Sequence, residues 1–439
     1  MSISLEKKIF AKEIGATEKS KKVFPVADDF LRLARFFFHS MGVDPYESDQ
    51  KTGLAFQLYL VFHVINLFFI WFSMMVFVTS SVGPNADFLH NSMVVGYITF
   101  GNVGVLKITV VQLQKGKLSS LVRHMNSLFP PPVAKEQKQY AVGHYMKFCN
   151  RISKGFAFLM ITMVITNSLS PITQYAIQRF WLHSPNAELA LPYVSFAPWN
   201  WRESWKFWPT YLLQSIAAYT CTCGYISADL MMFAVVIQVI MHFDRLATAL
   251  REFNVRNNRD ASGAQEDLKD LRSLIAYHIQ VLETTDLMNK VFGVVLLLNF
   301  INSSLLVCNV GFQLTVGFNL PYFGRQVLII LSALVEIYLI CFLSQMLINA
   351  VCSVFFILLS QGFIPKLYLQ SNNVSFAVYD MNWIECDPRF RKMLLFIAMR
   401  SQKPVCLHAT VFLDISMETM TSFIQVSYKF FCAIRMMYQ

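Results

Sequence analysis

Charge is what this sequence has least of. Asp, Glu, Lys and Arg make up 15% of its 439 residues and hydrophobic residues 55%, whereas ordinary soluble domains carry about 25% charged residues. A set of water-soluble domains is excluded by that balance. Catalytic signatures are missing too: there is no Gly-rich phosphate loop, no His-Glu-x-x-His and no nucleophile elbow, so no enzyme chemistry is expected. No His/Cys cluster has metal-ligand spacing, and neither a metal nor another cofactor is expected. The N-terminal stretch mixes Glu6, Lys7, Lys8, Lys12 and Glu13 and lacks the apolar core and cleavage site of a secretory signal. The first membrane helix is therefore expected to act as an uncleaved anchor.

What the chain has instead is a series of apolar runs, each near the length of about 20 residues that spans a bilayer. The spans read as 54–80, 91–113, 156–177, 207–240, 291–316, 327–360 and 405–437, which predicts an all-α membrane protein with seven transmembrane helices. Segments 1–53, 114–155, 241–290 and 361–404 hold 30 of the 37 Lys and Arg residues, against 0, 3 and 1 in 81–90, 178–206 and 317–326. Loops rich in these residues stay in the cytosol, so the N-terminus is expected inside and the C-terminus outside. The net charge of +10 is accounted for by that distribution and does not indicate nucleic-acid binding.

Further features agree with this topology. The three outer loops contain no cysteine, so they cannot carry a disulfide framework. The loop 178–206 holds Trp181, Trp199, Trp201 and Trp205, as expected at a membrane interface. Leu268, Leu271, Leu274, Ile275, His278, Ile279 and Leu282 recur at helical spacing, predicting that the fourth and fifth helices continue into the cytosol as a packed hairpin. The sequons at Asn302 and Asn373 fall in a membrane helix and a cytosolic segment, so neither is expected to be glycosylated. Asp244-Arg245-Leu246 is similar to a motif of G-protein-coupled receptors, but it lies on a different helix and the topology is inverted; a helix-end salt bridge is expected there.

In the last span Asp414, Glu418, Ser422, Gln425 and Lys429 recur at steps of three and four and share one face. Charge at mid-bilayer costs about 2.5 kcal/mol or more, so this face should meet water in a conduit or form a buried seam with a neighbouring helix. Farther along, Ala433 and Met437 make the stripe apolar, which suits a narrow gate closing by dewetting.

The run Tyr379-Asp380-Met381-Asn382-Trp383, then Arg391-Lys392, Met399-Arg400-Ser401-Gln402-Lys403-Pro404, Leu413 to Thr419 and Ser427-Tyr428 resembles the C-terminal motif of insect odorant receptors. Gustatory receptors of the same superfamily are the alternative, but their usual ending does not match Ile434 to Gln439. The resemblance implies one subunit of a heterotetrameric, odour-gated, non-selective cation channel in the plasma membrane of olfactory sensory neurons. Its partners would be a common co-receptor, membrane lipid and a volatile small molecule. It also implies a division of the chain into a cytosolic segment 1–53, a ligand-binding helical region 54–360, a cytosolic anchor region 361–404 and a pore helix with an outer C-terminus at 405–439. Trp383, Arg391 and Arg400 would belong to the subunit anchor, and Asp414, Glu418, Ser422, Gln425, Lys429, Ala433 and Met437 to the pore. Lys429 and Ala409-Thr410 depart from the family pattern. An odorant cavity is implied among the outer halves of helices two, three, four and six, with Met93, Tyr97, Thr166, Ser170, Tyr175, Tyr211 and Gln214 as candidates by position. Each has ordinary helix packing as its alternative. Pro171 would kink the third helix and widen the cavity.

Overall fold

The computed structural model describes residues 24–47, 53–81, 88–184, 188–202, 204–256, 261–316, 320–351, 387–401, 405–410 and 413–438. Its elements are α1 (Ala27–His39), α2 (Leu54–Ser80), α3 (Phe88–Leu113), α4 (Lys115–Leu128), α5 (Ala134–Gln139), α6 (Val142–Ala176), α7 (Ser204–Arg251), α8 (Ala261–Val316), α9 (Leu320–Val351), α10 (Pro388–Ser401), β1 (Leu407–Ala409), β2 (Leu413–Ile415) and α11 (Met417–Tyr438). Six of them, α2, α3, α6, α7, α8 and α9, are long and apolar enough to cross a membrane. The seventh membrane helix is α11, which carries a polar stripe.

The bundle is organised around α7. Every residue from Thr220 to Phe243 is buried, as suits a helix that is apolar all round. By contrast α2 exposes Leu58, Val61, Phe62, Ile65, Phe68 and Phe72, a surface suited to lipid. Close approach of α3 to α7 depends on glycine: a Cβ at Gly104 would lie 2.5 Å from Cys221 Sγ, and one at Gly224 would lie 2.4 Å from Ile108 Cδ1. Small residues at such crossings let membrane helices pack without a hydrophobic drive between them.

With 48 and 56 residues, α7 and α8 are each about 70–85 Å long, more than twice the ~30 Å hydrocarbon core. Both therefore continue well beyond the membrane, where Leu268 and Leu271 of α8 are buried. There α1 lays Phe30, Phe37 and Phe38 into the same extramembrane core. In this region burial pushes the imidazoles of His242 and His278 down to about 4. Burial also pushes the Asp244 carboxyl up to about 6. At the end of α7 the two residues of Asp244-Arg245 take different partners. Tyr145 donates to Asp244, and Arg245 reaches Glu252 at 3.7 Å.

Two helix starts differ in a way the sequence reading did not anticipate. The third membrane helix begins at Val142, because α6 runs without interruption out of the extramembrane region. The last one begins at Met417 and not at 405, since an antiparallel hairpin precedes it with Leu407 opposite Ile415 and His408 opposite Asp414. That hairpin is held by side chains that replace helical backbone bonds. Asn289 of α8 donates to the Cys406 carbonyl at 3.0 Å and accepts from the His408 amide at 3.2 Å. The Ser344 hydroxyl of α9 accepts from the Leu407 amide at 3.0 Å and donates to the Ile415 carbonyl at 2.6 Å. Asp414 is consequently a strand residue and not part of the last helix's face. The end of the sixth span, 352–360, lies outside the described residues.

Replacing Gly104 with Val should force α3 away from α7, with a loss of about 1–3 kcal/mol typical of overpacking. A lowered melting temperature of the detergent-purified protein, with reduced surface expression, is the expected outcome.

Candidate ligand cavity and pore face

Between α2, α3, α6, α7, α8 and α9 lies a cavity open at one mouth, built as small-molecule sites are from apolar walls with a few polar groups. Its walls are mostly apolar, with Trp71 and Met74 from α2, Met93, Tyr97 and Phe100 from α3, and Ile329 from α9. Four amide side chains interrupt them: Asn167, Gln214, Gln313 and Gln326. Gln326 donates to Gln313 at 2.5 Å, and Asn167 donates to the Met163 carbonyl at 2.8 Å. Asn167 Oδ1 and Gln326 Oε1 are buried and receive no hydrogen bond among the described residues. Such oxygens suit a hydroxyl-bearing guest, since an unmet buried acceptor is costly.

The aromatic loop between α6 and α7 folds over this space. Gln214 accepts from the Tyr193 amide at 3.1 Å and donates to Ser195 at 3.0 Å, while Tyr193 meets Tyr97 edge to face at 5.1 Å. The Phe196 amide donates to the Ser73 carbonyl at 3.1 Å, and Trp199 donates to Thr210 at 3.0 Å and stacks on Phe69. Trp181 and Trp205 remain largely exposed.

About one to two helical turns along the bundle from the cavity lies a buried ionic cluster. The Lys107 ammonium of α3 is 2.8 Å from Asp229 of α7 and 3.1 Å from Glu336 of α9, and all three residues are at most 1% exposed. Neutral donors complete the set. Tyr225 and Ser303 donate to Glu336 at 2.6 and 3.0 Å, and Asn299 donates to Asp229 at 3.0 Å. The ammonium also sits 3.3 Å from the centre of the Tyr225 ring. That ring stacks at 5.0 Å on Phe100, a residue of the cavity wall.

On α11, Glu418, Ser422, Gln425, Lys429 and Ala433 are all exposed along one face. The opposite face holds the helix to its own subunit: Phe423 is buried against Phe300 at 6.2 Å, and Ser427 meets Ser304 at 3.5 Å.

The family description "7tm Odorant receptor" matches residues 87–356 and 365–428. Odorant receptor 67a of Drosophila melanogaster is 46% identical over 425 residues, covering 97% of this chain and 100% of that one. Odorant receptor 85b of the same organism is 32% identical over 414 residues, covering 94% and 99%. The chain belongs to the insect odorant receptor family. Its fold is that of the solved insect olfactory receptor OR5 from Machilis hrabei in complex with eugenol, with a TM-score of 0.73 at 13% identity over 93% of this chain and 98% of that one.

Among the candidate ligand residues of this odorant receptor, Met93, Tyr97 and Gln214 line the cavity together. Thr166, Ser170, Tyr175 and Tyr211 do not. Tyr211 donates to the Ser168 carbonyl and packs on Phe207 and Trp208, joining α7 to α6. Ser170 bonds with its own helix through Thr173 and Gln174. Of the anchor candidates, Arg391 and Arg400 are exposed on α10, and Trp383 lies outside the described residues. Asp414 is separated from the pore stripe by the start of α11. The Lys107, Asp229 and Glu336 cluster was missed by sequence reasoning, although each is a lone charge in an apolar span, which is a functional signal in its own right.

Removing one partner of a buried ion pair leaves an uncompensated charge and costs about 3–5 kcal/mol. Lys107→Met should therefore lower the melting temperature markedly, and the triple change Lys107→Met, Asp229→Asn, Glu336→Gln should recover most of the loss. Equal stability of the single variant and the parent would show that the cluster does not hold the bundle.

Proposed function

We propose that this receptor is the odour-recognising subunit of a heterotetrameric, non-selective cation channel in the plasma membrane of olfactory neurons, opened by a small volatile in the cavity between α2 and α9. The observation that carries this reading is the two-sided character of α11. Its apolar side is seated on α8, while Glu418, Ser422, Gln425 and Lys429 point away from the subunit, as a helix lining a shared aqueous path requires. The basic segments at one end of the bundle favour an N-terminus inside and a C-terminus outside. At that end α10 exposes Leu395, Phe396 and Met399 beside Arg391 and Arg400, an uncovered apolar face of the kind that joins subunits.

The ligand class follows from the walls: a mostly apolar volatile with one hydroxyl, matched to the acceptors Asn167 Oδ1 and Gln326 Oε1. The solved Machilis receptor holds eugenol, a molecule of that description. Contact with Phe100 would reach Tyr225 and the ionic cluster through one ring stack, and α8 would carry the displacement to α11. Four copies of Lys429 around one axis would repel one another and oppose cation entry. A co-receptor without that lysine dilutes the repulsion.

Two outcomes test the proposal. Asn167→Leu should weaken responses to alcohols and phenols by about three- to tenfold, the worth of one neutral hydrogen bond, while leaving hydroxyl-free odorants of similar size unchanged. Odour-evoked current should appear on co-expression with the co-receptor and not from this chain alone. Robust current from the chain expressed by itself would refute the heteromer, and equal losses across both odorant classes would refute the hydroxyl contact.

A further inference from the structure

The hairpin that precedes α11 brings together three side chains of types that bind transition metals. Cys406 and His408 are two residues apart in an extended segment, so they project from the same side. Asp414 lies directly opposite His408 in the strand pairing. The result is a compact trio: Cys406 Sγ is 3.9 Å from both ring nitrogens of His408, His408 Nδ1 is 2.6 Å from Asp414 Oδ1, and one donor atom from each residue lies within 4.8 Å of the others. Nothing in the sequence spacing announces this set, because Asp414 joins it only through the register of the hairpin.

We propose that Cys406, His408 and Asp414 form a three-ligand site for a borderline divalent cation of the zinc class, with its fourth position open to water or a further ligand. Zinc takes thiolate at about 2.3 Å, imidazole at about 2.0 Å and carboxylate at about 2.1 Å, so tetrahedral ligation places the donor atoms about 3.4–3.6 Å apart. Toward that spacing the His408–Asp414 contact would open by about 1 Å and the Cys406–His408 separation would close by a few tenths of an ångström. Charge also balances. A thiolate, a neutral imidazole and a carboxylate sum to minus two, which a divalent cation cancels; the Cys406 proton passes to solvent on binding.

The arrangement around the trio favours binding. Cys406 is 5% exposed, while the side chains of His408 and Asp414 are 41% and 78% exposed, so the site has a fixed inner ligand and an open outer mouth. Asn289 holds the backbone on both sides of Leu407, fixing the direction of Cys406 and His408 from outside the site, as supporting residues do at metal centres. Gly293 keeps α8 against the same strand: a Cβ there would lie 3.1 Å from the Thr410 amide nitrogen and 3.2 Å from the His408 carbonyl oxygen. A bound ion would tie β1 to β2 immediately before the first turn of α11. The alternative is that His408 and Asp414 simply brace the hairpin beside an inert thiol.

Cobalt(II) titration of the purified full-length chain separates the two. The expected result is saturable binding with a thiolate-to-cobalt charge-transfer band that zinc displaces. Cys406→Ser should abolish the band, and Asp414→Asn, an exposed change that does not threaten folding, should weaken binding by about tenfold or more. His408→Gln should do the same. The site is overturned if the folded parent binds no cobalt saturably, if the band survives in Cys406→Ser and so belongs to another cysteine, or if Asp414→Asn and His408→Gln bind as the parent does.

Discussion

An ammonium group enclosed in the middle of an apolar bundle must be met by partners from several directions, and Lys107 is met from two helices besides its own, with a third behind them. Isolated, such a charge would cost many kcal/mol to remove from water. Here Asp229 and Glu336 answer it directly, and Tyr225, Asn299 and Ser303 hold the two carboxylates. Lipid supplies no hydrophobic force to choose one helix arrangement over another. The cluster supplies a polar constraint instead, because the register of α3, α7, α8 and α9 must bring both carboxylates to Lys107 and to their donors at once.

The same helices, followed outward, wall the ligand cavity. On α8 the residues Asn299, Asn302 and Ser303 meet the cluster, and Leu306, Val310 and Gln313 continue that face into the cavity. Its other face carries Asn289 and Gly293 against the hairpin, then Phe300 and Ser304 against α11. A helix with 3.6 residues per turn presents two such faces along its whole length. Thus α8, like α9, touches both the ligand cavity and the helix with the exposed polar stripe.

The hairpin has a structural role apart from any metal. A helix begun at 405 would have placed Asp414 in line with Glu418. The strands Leu407–Ala409 and Leu413–Ile415 instead take hydrogen bonds from Asn289 and Ser344, Thr410 after the first has a φ of 63°, and α11 starts at Met417. The Thr419 hydroxyl accepts from the Ser416 amide at 3.0 Å, satisfying one of the amides that a helix start leaves open.

Sequence alone determined what depends on composition and local order. Low charge and long apolar runs require membrane helices, and basic segments alternate with non-basic ones along the chain. The spacing of Glu418, Ser422, Gln425 and Lys429 places them on one face of α11, as the structure has them. The family was legible in the residues from Tyr379 onward, which keep their order without any fold. What the sequence could not decide is the rotation of each helix about its axis and the pairing of residues distant in the chain. Met93, Tyr97 and Gln214 face the cavity while Thr166, Ser170, Tyr175 and Tyr211 do not, because close approach at Gly104 and Gly224 and the ionic register of Lys107 set how the helices turn toward one another. The apolar stretch before α11 suited either helix or strand by pattern. Side chains of α8 and α9, more than 60 residues away in sequence, selected the strand by supplying the hydrogen bonds that a helix would have made within itself.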